Sequence, residues 1–126
     1  MSEPAPTALL IEDEPQIRRF VRAALEEEGW QVFEAATLQR GLADAGTRTP
    51  DLIVLDLGLP DGDGLELLDR IQERAKRTGQ PVQVVLMTGF SGITRDEARA
   101  RGASEMLLKP FLIEEHLAVI SQQKAV

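Results

Sequence analysis

Apolar and polar positions follow two rhythms along this chain. Short apolar runs at residues 8–11, 31–34, 52–55, 82–87 and 105–108 read as strands. The middle runs are continuously apolar, as strands buried on both faces of a parallel sheet are. Between them, residues 14–28, 38–45, 65–77, 95–101 and 113–123 mostly carry apolar positions at helical spacing, with Ile17, Phe20, Val21, Ala24 and Leu25 in the first segment and Leu67, Leu68 and Ile71 in the third. Strand and helix patterns therefore alternate about five times, the sequence form of an α/β fold with a parallel sheet covered on both faces. The punctuation agrees: Gly29 closes the first helix, Pro50 precedes the third strand, Thr78-Gly79-Gln80-Pro81 precedes the fourth, and Gly102 follows the fourth helix.

A length of 126 residues, 43% of them hydrophobic, fits one core and leaves no room for a second folded unit. The expectation is a single domain over residues 1–126, ordered over about 7–123; a stand-alone domain and a piece of a longer chain are both open. The apolar runs are far shorter than the roughly 20 residues needed to span a bilayer. The acidic, proline-containing start lacks the basic and apolar regions of a secretory signal. No membrane association and a cytoplasmic location are expected. Cysteine is absent, so a metal site must use oxygen ligands or the one histidine, His116. Oxygen donors suit magnesium or manganese, and also calcium. A formal net charge of −7 disfavours the electrostatic attraction that nonspecific nucleic-acid binding requires, so direct nucleic-acid binding by this domain is not expected.

In an open doubly wound sheet, ligands bind beyond the carboxyl ends of the strands, where the strand order reverses. Just past successive apolar runs stand Glu12 and Asp13, then Asp56, Thr88 and Lys109. If the order is 2-1-3-4-5, the first and third strands are neighbours and Asp13 faces Asp56. Carboxylates that close repel, and a divalent cation keeps them ionised. Asp13 and Asp56 suit a magnesium site, with Glu12 acting through water. A carboxylate can also be the nucleophile of phosphoryl transfer. Lys109 would then hold a phosphoryl oxygen, and the Thr88 hydroxyl would donate to the group once it is attached.

Four strings, Leu10-Ile11-Glu12-Asp13-Glu14, Leu55-Asp56-Leu57-Gly58-Leu59-Pro60, Thr88-Gly89 and Lys109-Pro110-Phe111, each at a predicted strand end, resemble the receiver domains of two-component response regulators. The resemblance covers nearly the whole chain. It implies a flavodoxin-like (βα)5 fold with five parallel strands in the order 2-1-3-4-5. It also implies that Asp56 is the phosphoacceptor, Glu12 and Asp13 the acidic metal pair, the Gly58 carbonyl a further Mg2+ ligand (Mn2+ being an alternative ion), and Thr88 and Lys109 the switch and phosphate-binding residues. The implied partner is a histidine kinase or phosphotransfer domain. The output is left open, and a homodimer with it. At Met106 the family usually has a switch tyrosine or phenylalanine. The first two thirds, especially Ile17-Arg18-Arg19-Phe20 and Thr37-Leu38-Gln39-Arg40-Gly41-Leu42, are similar to winged-helix regulators, including those controlling potassium transport. The last third, with Ser104-Glu105 and a final helix lacking arginine, departs from them.

Simpler readings stand beside these. Glu12, Asp13 and Glu14 also suit the first turn of a helix. Pro60-Asp61-Gly62-Asp63-Gly64 lacks the remaining ligands of a calcium loop and reads as a turn. Arg95, Arg99 and Arg101 read as a solvated face, Trp30 and Phe33 as packing residues, and His116 as a surface residue. A metal-dependent phosphatase using Asp56 would want a second aspartate where Gly58 stands. A degenerate receiver that binds a partner without phosphorylation is disfavoured by the intact Glu12, Asp13, Asp56, Thr88 and Lys109 and kept open by Met106.

Overall fold

Nine elements follow one another in the computed structural model, which describes residues 5–89 and 93–108: β1 (Thr7–Ile11), α1 (Pro15–Glu27), β2 (Gln31–Ala35), α2 (Leu38–Arg48), β3 (Leu52–Asp56), α3 (Gly64–Thr78), β4 (Gln83–Thr88), α4 (Arg95–Ala100) and β5 (Glu105–Leu108). The predicted helix at 113–123, with His116, lies outside the described residues, as do Lys109, Pro110 and Phe111. The strands form one parallel sheet in the order β2-β1-β3-β4-β5. That is the expected flavodoxin-like arrangement, with its reversal point between β1 and β3.

The two-residue period of the strands sorts the core into two layers. Leu9, Ile11, Ile53, Leu55, Val84 and Leu86 face α2, α3 and α4, where they meet Leu38, Ala45, Leu67, Leu68, Ile71 and Ala98. Ala8, Leu10, Leu52, Val54, Val85 and Met87 face the other way, where Val21, Ala24 and Leu25 of α1 pack with Trp30. Every residue of β3 is buried, so this central strand has no solvent face.

Local chemistry sets the helix ends. Pro15 opens α1, where its missing N–H costs nothing. The Asp63 carboxylate accepts from Leu65 N at the start of α3, whose last turn carries Lys76 and Arg77 and whose cap, Gly79, has φ 73°. Gly41 of α2 is required by close approach: a Cβ there would lie 2.5 Å from Ile11 Cδ1. Boundaries depart modestly from the sequence reading. Helix α2 runs on past residue 45 to Arg48, and the strands include Asp56 and Thr88 as their last residues.

Candidate functional site

The reversal point gathers three acidic side chains. Glu12 and Asp13 follow β1, and Asp56 ends β3; with β1 and β3 paired through Ile11 and Leu55, one carboxylate oxygen from each of the three lies within 4.8 Å of the others. Glu12 and Asp56 are buried, whereas Asp13 is exposed. The backbone at Glu12 is held on both sides, its N–H donating to the Ala35 carbonyl at 3.0 Å and its carbonyl accepting from the Arg18 guanidinium at 3.0 Å. Beyond Asp56, Leu57 N donates to the Met87 carbonyl at 2.9 Å, and Gly58 N turns back to donate to Asp56 Oδ1 at 2.9 Å. The loop thus folds over the carboxylate it follows.

Like unit charges at such separations repel by about 3–4 kcal/mol at an effective dielectric of 20. The donor set fits a hard divalent cation. Magnesium–oxygen bonds of roughly 2.0–2.1 Å place opposite ligands about 4.2 Å apart, so a small side-chain adjustment closes this trio around an ion, with water completing the shell.

Thr88 ends β4, one residue beyond the Met87 that pairs with Asp56, and is fully buried. Met106 lies on β5 opposite Leu86, buried in the layer that also holds Ile93, Ala98 and Ala103. Its N–H donates to Glu105 Oε1 at 3.0 Å, and its carbonyl accepts from Arg95 Nε at 3.4 Å. Arg95 and Arg99 of α4 both approach the Glu105 carboxylate, at 3.8 and 3.7 Å, and Arg101 pairs with Asp69 at 2.6 Å. These arginines are therefore ion-paired rather than merely solvated, though exposed pairs contribute little to stability. Arg101 is held above its ordinary pKa chiefly by its hydrogen bond to Asp69. Sequence reasoning also missed Asp61, whose carboxylate reaches α2. A groove of about 680 Å³ between α2 and α3, lined by Asp51, Arg70, Arg74 and Arg77 among others, does not include the acidic trio.

Comparison with known proteins agrees with this geometry. The family described as the response regulator receiver domain matches residues 8–121. The KDP operon transcriptional regulatory protein KdpE of Escherichia coli is 51% identical over 108 residues, covering 85% of this chain and 46% of that protein. The nitrogen assimilation regulatory protein NtrX of Azorhizobium caulinodans is 39% identical over 118 residues, covering 91% of this chain and 25% of that protein. The chain thus spans less than half the length of these relatives. Among solved structures, the receiver domain of NtrX from Brucella abortus has a TM-score of 0.81 at 31% identity, covering 94% of this chain and 98% of that one. The chemotaxis response regulator CheY4 of Vibrio cholerae has a TM-score of 0.78 at 27% identity, covering 94% and 98%.

Proposed function

Since this chain belongs to the response regulator receiver domain family of two-component signalling, we propose that Asp56 is its phosphoacceptor, with Glu12, Asp13 and the Gly58 carbonyl as the residues that hold a divalent cation beside it. The observation that carries the assignment is the convergence of the Glu12, Asp13 and Asp56 oxygens within 4.8 Å at the ends of β1 and β3. Magnesium, or manganese in its place, supplies neutralisation of charge on the transferring phosphoryl oxygens.

The donor is a phosphohistidine of a partner kinase or phosphotransfer domain. An Asp56 carboxylate oxygen forms the new bond to phosphorus, the bond from phosphorus to the donor nitrogen breaks, and that nitrogen keeps the electron pair. Burial of Asp56 limits the positions from which a donor can approach. Water later attacks the acyl phosphate, releasing phosphate and restoring the carboxylate, so turnover is confined to the domain's own adduct. Phosphorylation adds about −1.5 to −2 charges. The Thr88 hydroxyl at the end of β4 and Lys109, directly after β5 in the sequence, answer that charge. Their movement biases the face built from α4 and β5, where buried Met106 joins the two through Ile93 and Ala98.

Residues 1–126 form one such receiver unit in this reading, working in the cytoplasm beside its kinase; no helix among the described residues is long and apolar enough to cross a membrane. It requires no nucleic-acid contact by the domain itself. Output belongs to a further segment, a partner or a second copy, and the transcriptional regulators named above make control of transcription the first output to test. The assignment of Asp56 is tested by treating the protein with acetyl phosphate and Mg2+, reducing the acyl phosphate with borohydride and mapping the product by peptide mass. Conversion at Asp56 is expected; conversion of Glu12 or Asp13 instead would overturn the assignment.

A further inference from the structure

Asp61 takes no part in the chemistry above, yet its side chain ties the loop that follows Asp56 to the start of α2. Its Oδ1 accepts from Leu38 N at 2.9 Å and its Oδ2 from Gln39 N at 3.2 Å. These are N–H groups of the first turn of α2, which have no partner inside the helix. The same helix end has a local cap, the Thr37 hydroxyl accepting from Arg40 N at 3.1 Å. One cap therefore comes from the residue before α2 and the other from the loop that follows Asp56.

The packing around Asp61 makes that second cap a clamp. A Cβ on Gly62 would lie 3.2 Å from Leu38 Cδ1, and Leu38 shares its core layer with Leu57 and Leu59. The loop is thus fixed near its start, where Leu57 N meets the Met87 carbonyl, and again at Asp61. Gly58 lies between these anchors. Magnesium demands near-ideal octahedral geometry, so a backbone ligand on a loop free to drift is a poor ligand. The hydrogen bond from Leu38 N is also the main reason the Asp61 carboxyl is held below its ordinary pKa.

We propose that Asp61 is a positioning residue for the cation site: by fastening the acceptor loop to the start of α2, it holds the Gly58 carbonyl where the divalent ion binds beside Asp56. This rests on the assignment of Glu12, Asp13, Asp56 and Gly58 given above. It makes α2, an element remote from the phosphoryl chemistry, a determinant of metal affinity.

The test is calorimetric titration of the full chain with Mg2+ alone, comparing wild type, Asp61→Ala, Asp61→Asn and Thr37→Ala, with thermal unfolding in chelator alongside. Asp61→Ala is expected to weaken Mg2+ affinity by about tenfold, as loss of a group that orients a ligand does. Asp61→Asn, which keeps an oxygen for Leu38 N, should recover part of that loss and serves if the alanine variant folds poorly. Thr37→Ala removes the other cap of the same helix end; it should lower thermal stability while leaving Mg2+ affinity unchanged. The rate of adduct formation from acetyl phosphate should return to the wild-type value in Asp61→Ala once Mg2+ is saturating. Wild-type affinity in Asp61→Ala, or an equal loss in Thr37→Ala, would overturn the proposal. Absence of saturable Mg2+ binding in the wild type would overturn the underlying metal assignment, and this proposal with it.

Discussion

Strand β3 carries an aspartate at each end, and the two have opposite surroundings. Asp51, just before the strand, is exposed and fully engaged in joining strands: its carboxylate accepts from the Thr7 N–H at 2.9 Å, its own N–H donates to the Thr7 carbonyl, and its carbonyl accepts from Gln83 N. Asp56, at the other end, is buried within 4.8 Å of two further carboxylates. Asp51 joins strand ends through backbone groups; Asp56 accepts from Gly58 N inside a cluster of carboxylates. The groove beside Asp51 is lined instead by Arg70, Arg74 and Arg77, and among the described residues Asp51 belongs to no group of three or more potential metal ligands. An aspartate after an apolar run is thus defined by what the neighbouring strand ends bring to it, not by its own strand.

Metal affinity should separate the two ends most sharply. Asp13→Asn and Glu12→Gln are each expected to weaken Mg2+ binding by about 100-fold, at or above the upper range seen when only an outer group is removed, whereas Asp51→Asn should leave it unchanged in the same titration. Equal losses at both ends would break the comparison.

Stability should move in opposite directions. In chelator, Asp56→Asn relieves repulsion among the trio and should raise the melting temperature by about 3–6 °C; saturating Mg2+ should abolish that advantage. Asp51→Ala should lower stability by about 1 kcal/mol through loss of the bond to Thr7, with or without Mg2+. Thermal unfolding in both conditions reads the two signs directly.

A third aspartate gives the smallest effect. Backbone donation from Leu38 holds the Asp61 carboxyl below its ordinary pKa, against a smaller raising effect of burial. A carboxyl depressed in the folded state contributes stability above its unfolded pKa, and that contribution is lost as pH falls through the folded value. The difference in melting temperature between wild type and Asp61→Asn should therefore be constant near neutrality and shrink below about pH 4. An unchanged difference at pH 3 would contradict the carboxylate's role as a cap.

The acidic trio was legible because two simple rules suffice: continuous apolar runs mark buried parallel strands, and the 2-1-3-4-5 order makes β1 and β3 neighbours. Asp13 and Asp56 then meet whatever the loop details. Asp61 was not legible for the converse reason. Its bonds to Leu38 and Gln39 cross 23 and 22 positions and depend on the path of one loop. The end of α2 was missed because Gly46, Thr47 and Arg48 add no apolar position; the helix continues while Thr47 Oγ1 donates back to the Ala43 carbonyl and the Arg48 guanidinium covers the Phe33 ring at 3.8 Å. Similarly, nothing in the spacing of Arg95 and Arg99 signals their shared partner, because Glu105 comes from a different element.

The most direct test of the central claim is the intact mass of wild type and Asp56→Asn after incubation with acetyl phosphate, each with Mg2+ and with chelator. A single phosphoryl adduct is expected in wild type with Mg2+ and none in the other three samples. An adduct that persists in Asp56→Asn, or that forms equally well in chelator, would contradict a metal-assisted acceptor at Asp56.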